Sequence, residues 1–282
     1  MQLELAGRSG IDDGRYPVRE RGRADPAGVL IVQTQGAPSA WARPRRRRRA
    51  RPRTADSASE AESVPVTRLT AVRTKPFATA DEARQWLRAI GGDPARWEGE
   101  VAAAIAVANR ALHARAVAAA DPAALQLGRS SALRIRVGYG TGDEVAGGRW
   151  TEAIEVPPDG RRLRRVDALR PSERLAAILG ARERPLTCET LMLRARADYD
   201  AGRDREAAVE LRGAIEGMLA ELGDEPPAEQ RADLEALRER NVGISAIAAR
   251  ALRSDPSGEE RTELAEALAI GERVLRRRRI LG

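Results

Sequence analysis

The chain has 282 residues, of which 42% are apolar but only 3% aromatic, so it can bury one large core or two modest ones, built mainly from Ala, Leu, Val and Ile. Its formal charge of +7 is local: residues 1–76 hold 16 basic and 8 acidic side chains, whereas the remainder holds 33 and 34. One cysteine, Cys188, and one histidine, His113, exclude an intrachain disulfide, a multi-thiolate or two-histidine metal site and a histidine triad.

Met1 to Gly14 places acids where a secretory signal would carry positive charge and then an apolar core. The longest apolar run, Val101 to Ala108, is far shorter than the roughly 20 residues that a spanning helix needs. A cytoplasmic protein with no membrane segment is expected. Tyr16 to Glu20 and Val29 to Thr34 read as strands separated by a Gly, Asp and Pro turn, so residues 1–37 form a possible small β segment. Pro38 to Ser63 holds Arg45, Arg46, Arg47, Arg48 and Arg49 in succession and then an acidic, Ser-rich tract. Such a composition cannot bury enough apolar area to offset its ordering entropy, and a disordered linker is predicted over 38–63. Val64 to Arg73 resumes a strand-like alternation. Two organisations are open at this point: a small sheet interrupted by the linker, or an N-terminus without structure.

An α+β unit is predicted over 64–170. Thr79 and Glu82 form a candidate capping box before the stripe Ala83, Trp86, Leu87 and Ile90, and Gly91 and Gly92 stop that helix. Asp93 and Pro94 can begin a second helix, striped by Trp97, Val101, Ala104, Ile105, Ala108 and Leu112, and the two form a helical hairpin. In Leu133 to Tyr139, the residues Leu133, Ile135, Val137 and Tyr139 alternate with Arg134, Arg136 and Gly138, which predicts a half-buried strand. Trp150 to Val156 is the partner strand, with Trp150 offered a core position. The glycines between them supply a β-hairpin with a long irregular loop.

A helical array is predicted over 171–282: a short helix at Glu173 to Leu179, helices at Cys188 to Ala201 and Arg205 to Leu222, another from Pro227 to about Arg253 with a possible break at Gly243, and a last one opened by a Ser257 and Glu260 capping box. Arg276 to Arg279 finish it, opposing the negative end of the helix dipole. Between 188 and 222, Ala195, Gly202, Glu206, Ala207 and Ala214 fall where a tetratricopeptide unit has its small contact residues, inter-helix glycine and second-helix entry. This pair resembles one such repeat, with Asp198 where the motif usually carries an aromatic residue. The resemblance implies an antiparallel helix pair; one unit alone does not stack into a peptide-binding solenoid.

Few residues recommend themselves for chemistry. The Gly138, Gly140, Gly142 loop invites a phosphate cradle, yet it lacks the Gly-Lys-Ser/Thr and strand-to-helix contexts and carries Asp143 and Glu144, which repel phosphate. Adjacent acids on a strand point to opposite faces, so a cation site is not indicated either. Tyr139, Asp143, Glu144, Arg149 and Trp150 remain as residues of an interaction or ligand loop. Cys188 sits at a predicted helix N-terminus, which favours a thiolate, but no base accompanies it, and a small buried residue is the simpler reading. His113 lies off its helix's apolar stripe, at the rim. No cofactor or metal is expected.

The expectation is an α+β, predominantly α-helical protein, with helical hairpins flanking a central β-hairpin with a Gly-rich loop and a low-order or weakly β N-terminal region. Functionally, a non-enzymatic protein acting through protein partners, as an adaptor or assembly component, is expected. One alternative is nucleic-acid or other polyanion binding through Arg43 to Arg53. The other is an enzyme or small-ligand binder at the Gly138 to Gly148 loop.

Overall fold

The computed structural model describes residues 1–19, 24–36, 64–123, 126–156, 173–224 and 226–281. The predicted linker over 38–63 and the polar stretch Pro157 to Arg170 lie outside them. The fold is α+β; among the described residues there are six strands and eight α-helices. They belong to two compact units, Met1–Arg162 and Leu163–Gly282.

The first unit is built on one antiparallel sheet. Its strands are β1 (Gln2–Ala6), β2 (Gly14–Arg19), β3 (Pro26–Gln35), β4 (Val66–Arg73), β5 (Ala132–Tyr139) and β6 (Glu152–Val156), in the order β2-β3-β4-β1-β5-β6. The strands within 1–37 therefore join those of the central hairpin in a single sheet. β1, which the sequence reading passed over, lies between β4 and β5 and aligns Leu3 with both Leu69 and Ile135. Its short alternation, Leu3 and Leu5 against Gln2 and Glu4, suffices because both of its edges are hydrogen-bonded.

Helices α1 (Ala80–Gly91) and α2 (Pro94–Ala119) lie on one face of the sheet, where Leu3, Leu30, Leu69 and Ile135 meet Leu87 and Val101. The helix starts follow from local chemistry. Thr79 Oγ1 accepts from the Glu82 N–H at 3.1 Å, although Glu82 closes the box one residue further out, on the Ala78 N–H at 2.7 Å. Asp93 caps α2 through the Ala95 N–H at 2.9 Å.

β5 pairs with β6 as predicted, from Ile135 opposite Val156 to Tyr139 opposite Glu152. Two details differ from the alternation read in the sequence. The register between β1 and β5 jumps from Glu4 opposite Arg134 to Leu5 opposite Ala132, so Leu133 is the extra residue of a bulge and is turned out, 61% exposed. The loop is not irregular throughout: a helical turn, α3 (Gly142–Ala146), occupies its first half.

The second unit is a helical array of α4 (173–179), α5 (Thr187–Asp200), α6 (Asp204–Leu222), α7 (Ala228–Ala251) and α8 (Gly258–Leu281). Met192, Leu211, Ile215, Leu237, Ile244 and Leu264 fill its core. The pair α5 and α6 turns about Gly202, whose φ of 70° is the left-handed conformation glycine adopts without strain. Ala195, Ala207 and Ala214 are fully buried, as the small contact residues of an antiparallel helix pair. In place of the aromatic contact, Asp198 accepts from Arg203 Nε at 2.7 Å and so staples the turn.

Helix α7 runs unbroken through Gly243. A Cβ there would sit 2.7 Å from Glu263 Oε1 of α8, the far end of a flexible side chain, so the glycine marks neither a break nor an obligatory close approach. The Ser257 and Glu260 box that opens α8 is complete in both directions, at 3.2 and 2.8 Å. The arginines at its end do more than oppose the dipole: Arg277 bonds Asp233 at 2.7 Å, and Arg278 lies 3.7 Å from Glu189.

Candidate functional site

On a strand, alternate residues share a face, and the registers align Glu4 of β1 with Arg68 of β4 and Arg134 of β5, and Arg136 with Glu155 of β6. These five charged side chains are thereby set on the sheet face opposite α1 and α2. Four of them, Glu4, Arg68, Arg134 and Arg136, form a groove of about 340 Å³, with Gln35 and Val66 at its margin.

The arginines are not equally engaged. Arg68 Nη2 donates to Glu4 Oε1 at 3.1 Å, with both side chains about 15% exposed or less. Arg134 and Arg136 approach the same carboxylate only at 3.9 and 3.8 Å, and Glu155 at 3.2 and 3.9 Å. Apart from the 3.2 Å approach of Arg134 Nε to Glu155, those are loose ion-pair separations, so among the described residues these two guanidinium groups are held less tightly than that of Arg68. Beside them Gln2, 1% exposed, gives its amide N–H to Thr70 Oγ1 at 3.0 Å, while its Oε1 and the Nε of Arg68 are buried without a partner.

The glycine loop packs against the Arg68 side chain. Gly147 accepts from Arg68 Nη1 at 3.0 Å. Gly148, with a φ of 77°, lies so close above that a Cβ would come within 2.9 Å of the Arg68 guanidinium and 3.3 Å of the Gln2 amide nitrogen. The backbone carbonyl thus faces a cation here, the reverse of a phosphate cradle, whose N–H groups face an anion.

The other residues singled out in the loop do not line the groove. Tyr139 Oη donates to Glu152 at 3.0 Å, and burial first, then that carboxylate, raise its phenol above the ordinary value. Glu144 is exposed and accepts from Thr141 Oγ1 at 3.2 Å, Asp143 belongs to α3, and Arg149 is exposed. Trp150 precedes β6 instead of opening it; it is half-buried, and its indole N–H is enclosed without a partner. Arg45 to Arg49 lie outside the described residues. Glu4 and Arg68 went unnoticed in the sequence, although the alternation around each was the signal that could have placed them beside Arg134 and Arg136.

Away from the groove, Cys188 is fully buried, and burial together with the neighbouring Glu221 carboxylate pushes its thiol up to about 12. That matches the small buried residue expected there, and the helix N-terminus offers a thiolate nothing because Glu221 of α6 already occupies it, accepting from the N–H groups of Thr187 and Cys188 at 2.9 and 3.0 Å. Burial alone would raise Glu221 too, but those two donors outweigh it and hold its carboxyl down to about 2. His113 is half-buried at the rim of α2. Among the described residues, no group of three or more His, Cys, Asp or Glu could hold a metal ion, and no helix is long and apolar enough to cross a membrane.

Comparison of the chain with protein-family models, with curated proteins and with solved structures found no match.

Proposed function

We propose that this is a non-enzymatic cytoplasmic protein that works through protein partners, as an adaptor or assembly component, and that the arginine groove of its sheet is the contact surface. What supports the reading is that, among the described residues, Arg134 and Arg136 are held by Glu4 and Glu155 at 3.2–3.9 Å, more loosely than Arg68, on a groove bordered by side chains suited to gripping and not to bond-breaking. Arginine is the side chain best adapted to such contacts, because its planar fork pairs with carboxylates and its weaker hydration makes desolvation cheaper than for lysine.

The test is site-specific crosslinking. A photo-crosslinking amino acid replaces Val64, which lies at the groove margin and is 66% exposed, in the full chain expressed in its native cytoplasm. A discrete protein adduct that disappears in the Arg134→Glu, Arg136→Glu double variant is expected. Absence of any protein adduct, or adducts to nucleic acid alone, overturns the proposal.

A further inference from the structure

We infer that the groove takes a carboxylate side chain from an acidic peptide segment, gripped between Arg134 and Arg136; this rests on the interaction reading above and names the chemistry of the partner. Arg134 and Arg136 are two positions apart on β5 and so project from the same face with their backbones about 7 Å apart, a span that two guanidinium groups can close on one carboxylate from both sides. Glu4 does not fill that role. It is drawn to the other wall by Arg68, at 3.1 Å against 3.9 and 3.8 Å to the two β5 arginines, and Glu155 holds only their Nε edges, at 3.2 and 3.9 Å, so an incoming carboxylate is met by the Nη groups.

Charge selects the ligand class. Three guanidinium groups face two carboxylates, Glu4 and Glu155, leaving one positive charge in excess. That excess matches a single carboxylate and falls short of what a run of phosphates requires. Among the described residues the face also lacks a stacking platform: none of the strand positions that share it on β1, β3, β4 and β5, such as Gln2, Gln33, Val66 and Thr70, is aromatic. Single-stranded nucleic acid binds such sheets by stacking bases on aromatic rings, and nothing here serves that purpose. At the groove's margin Val66 offers an apolar contact to the stem of an acidic side chain, and Gln35 a backbone or amide partner.

The experiment uses the full chain with Arg45 to Arg49 replaced by Gln, so that this tract cannot capture the probe. Fluorescence anisotropy follows a labelled Glu/Ala peptide, its Gln/Ala counterpart and a labelled single-stranded oligonucleotide. The Glu peptide is expected to bind and the Gln peptide not, with Arg134→Gln and Arg136→Gln each weakening binding about tenfold. Glu4→Gln is expected to tighten it, a change that damage to the fold cannot mimic. Equal binding of the two peptides, binding of the oligonucleotide in preference to the Glu peptide, or an unchanged affinity in the Arg134→Gln, Arg136→Gln double variant with native circular dichroism overturns the inference. If the Val64 crosslink persists while the Glu peptide fails, only the ligand class is wrong; if both fail, the interaction reading falls with it.

Discussion

Arg68 and Glu4 face each other across the β4 and β1 register, guanidinium nitrogen to carboxylate oxygen at 3.1 Å, and the same guanidinium reaches the Gly147 carbonyl at 3.0 Å. One side chain therefore ties together two central strands and the hairpin loop. Arg68→Ala leaves a largely buried carboxylate without its hydrogen bond and is expected to lower the stability of the first unit by about 2 kcal/mol in urea denaturation. Faster amide exchange around Gly147 and Gly148 in the same variant checks that the loop has lost its anchor; unchanged exchange would show that the loop is held by something else.

Glycine substitutions in the hairpin separate steric demand from conformational demand. A Cβ on Gly138 would meet Glu152 O at 2.5 Å and Ala153 Cβ at 2.7 Å, contacts with the partner strand itself that cannot swing away. Gly138→Ala is expected to cost about 1–3 kcal/mol. Gly142 has open space around it and a φ of 40°, so Gly142→Ala should cost about 1 kcal/mol or less, from backbone strain alone. Thermal unfolding of the two variants side by side measures the difference.

The Cys188 and Glu221 pair gives the helical unit opposite pH limits. The thiol is raised from 9.0 to about 12, so above pH 9 the unfolded chain releases a proton that the folded chain keeps, and stability falls as pH rises from 9 towards 12. The Glu221 carboxyl is lowered from 4.5 to about 2, so its contribution is present above pH 4.5 and is lost as pH falls towards 2. Denaturation midpoints against pH should show both slopes, with the alkaline one absent in Cys188→Ala and the acid one reduced in Glu221→Gln. Native protein at pH 8 is also expected to resist a thiol reagent that modifies Cys188 readily in urea.

Helix starts offer a local check on the second unit. The Ser257 hydroxyl accepts from the Glu260 N–H at 3.2 Å, and Glu260 answers on the Ser257 N–H at 2.8 Å. Ser257→Ala is expected to destabilise the array by about 1 kcal/mol in chemical denaturation, and Ser257→Asp to restore most of the loss.

Everything governed by near neighbours in the chain was legible from residue order. The caps at Thr79, Asp93 and Ser257, the turn at Gly202, the stripe that buries Leu211, Ile215 and Met218, and the two strands of the central hairpin all depend on contacts within a few residues or on a period that the chain itself displays. The α+β class and its helical weight followed from these. What needed the tertiary structure depends on partners far apart in sequence. β1 is five residues long and becomes a central strand only because β4, more than 60 residues on, and β5, about 130 on, supply hydrogen bonds to its two edges. Leu133 leaves the apolar side because a bulge against β1 displaces it, and Cys188 keeps its proton because the array buries it and a glutamate one helix later lies beside it. The groove is the extreme case: Glu4, Arg68, Arg134 and Glu155 are ordinary solvent-side residues of four separate strands, and only the order in which the sheet aligns those strands makes them a single charged surface.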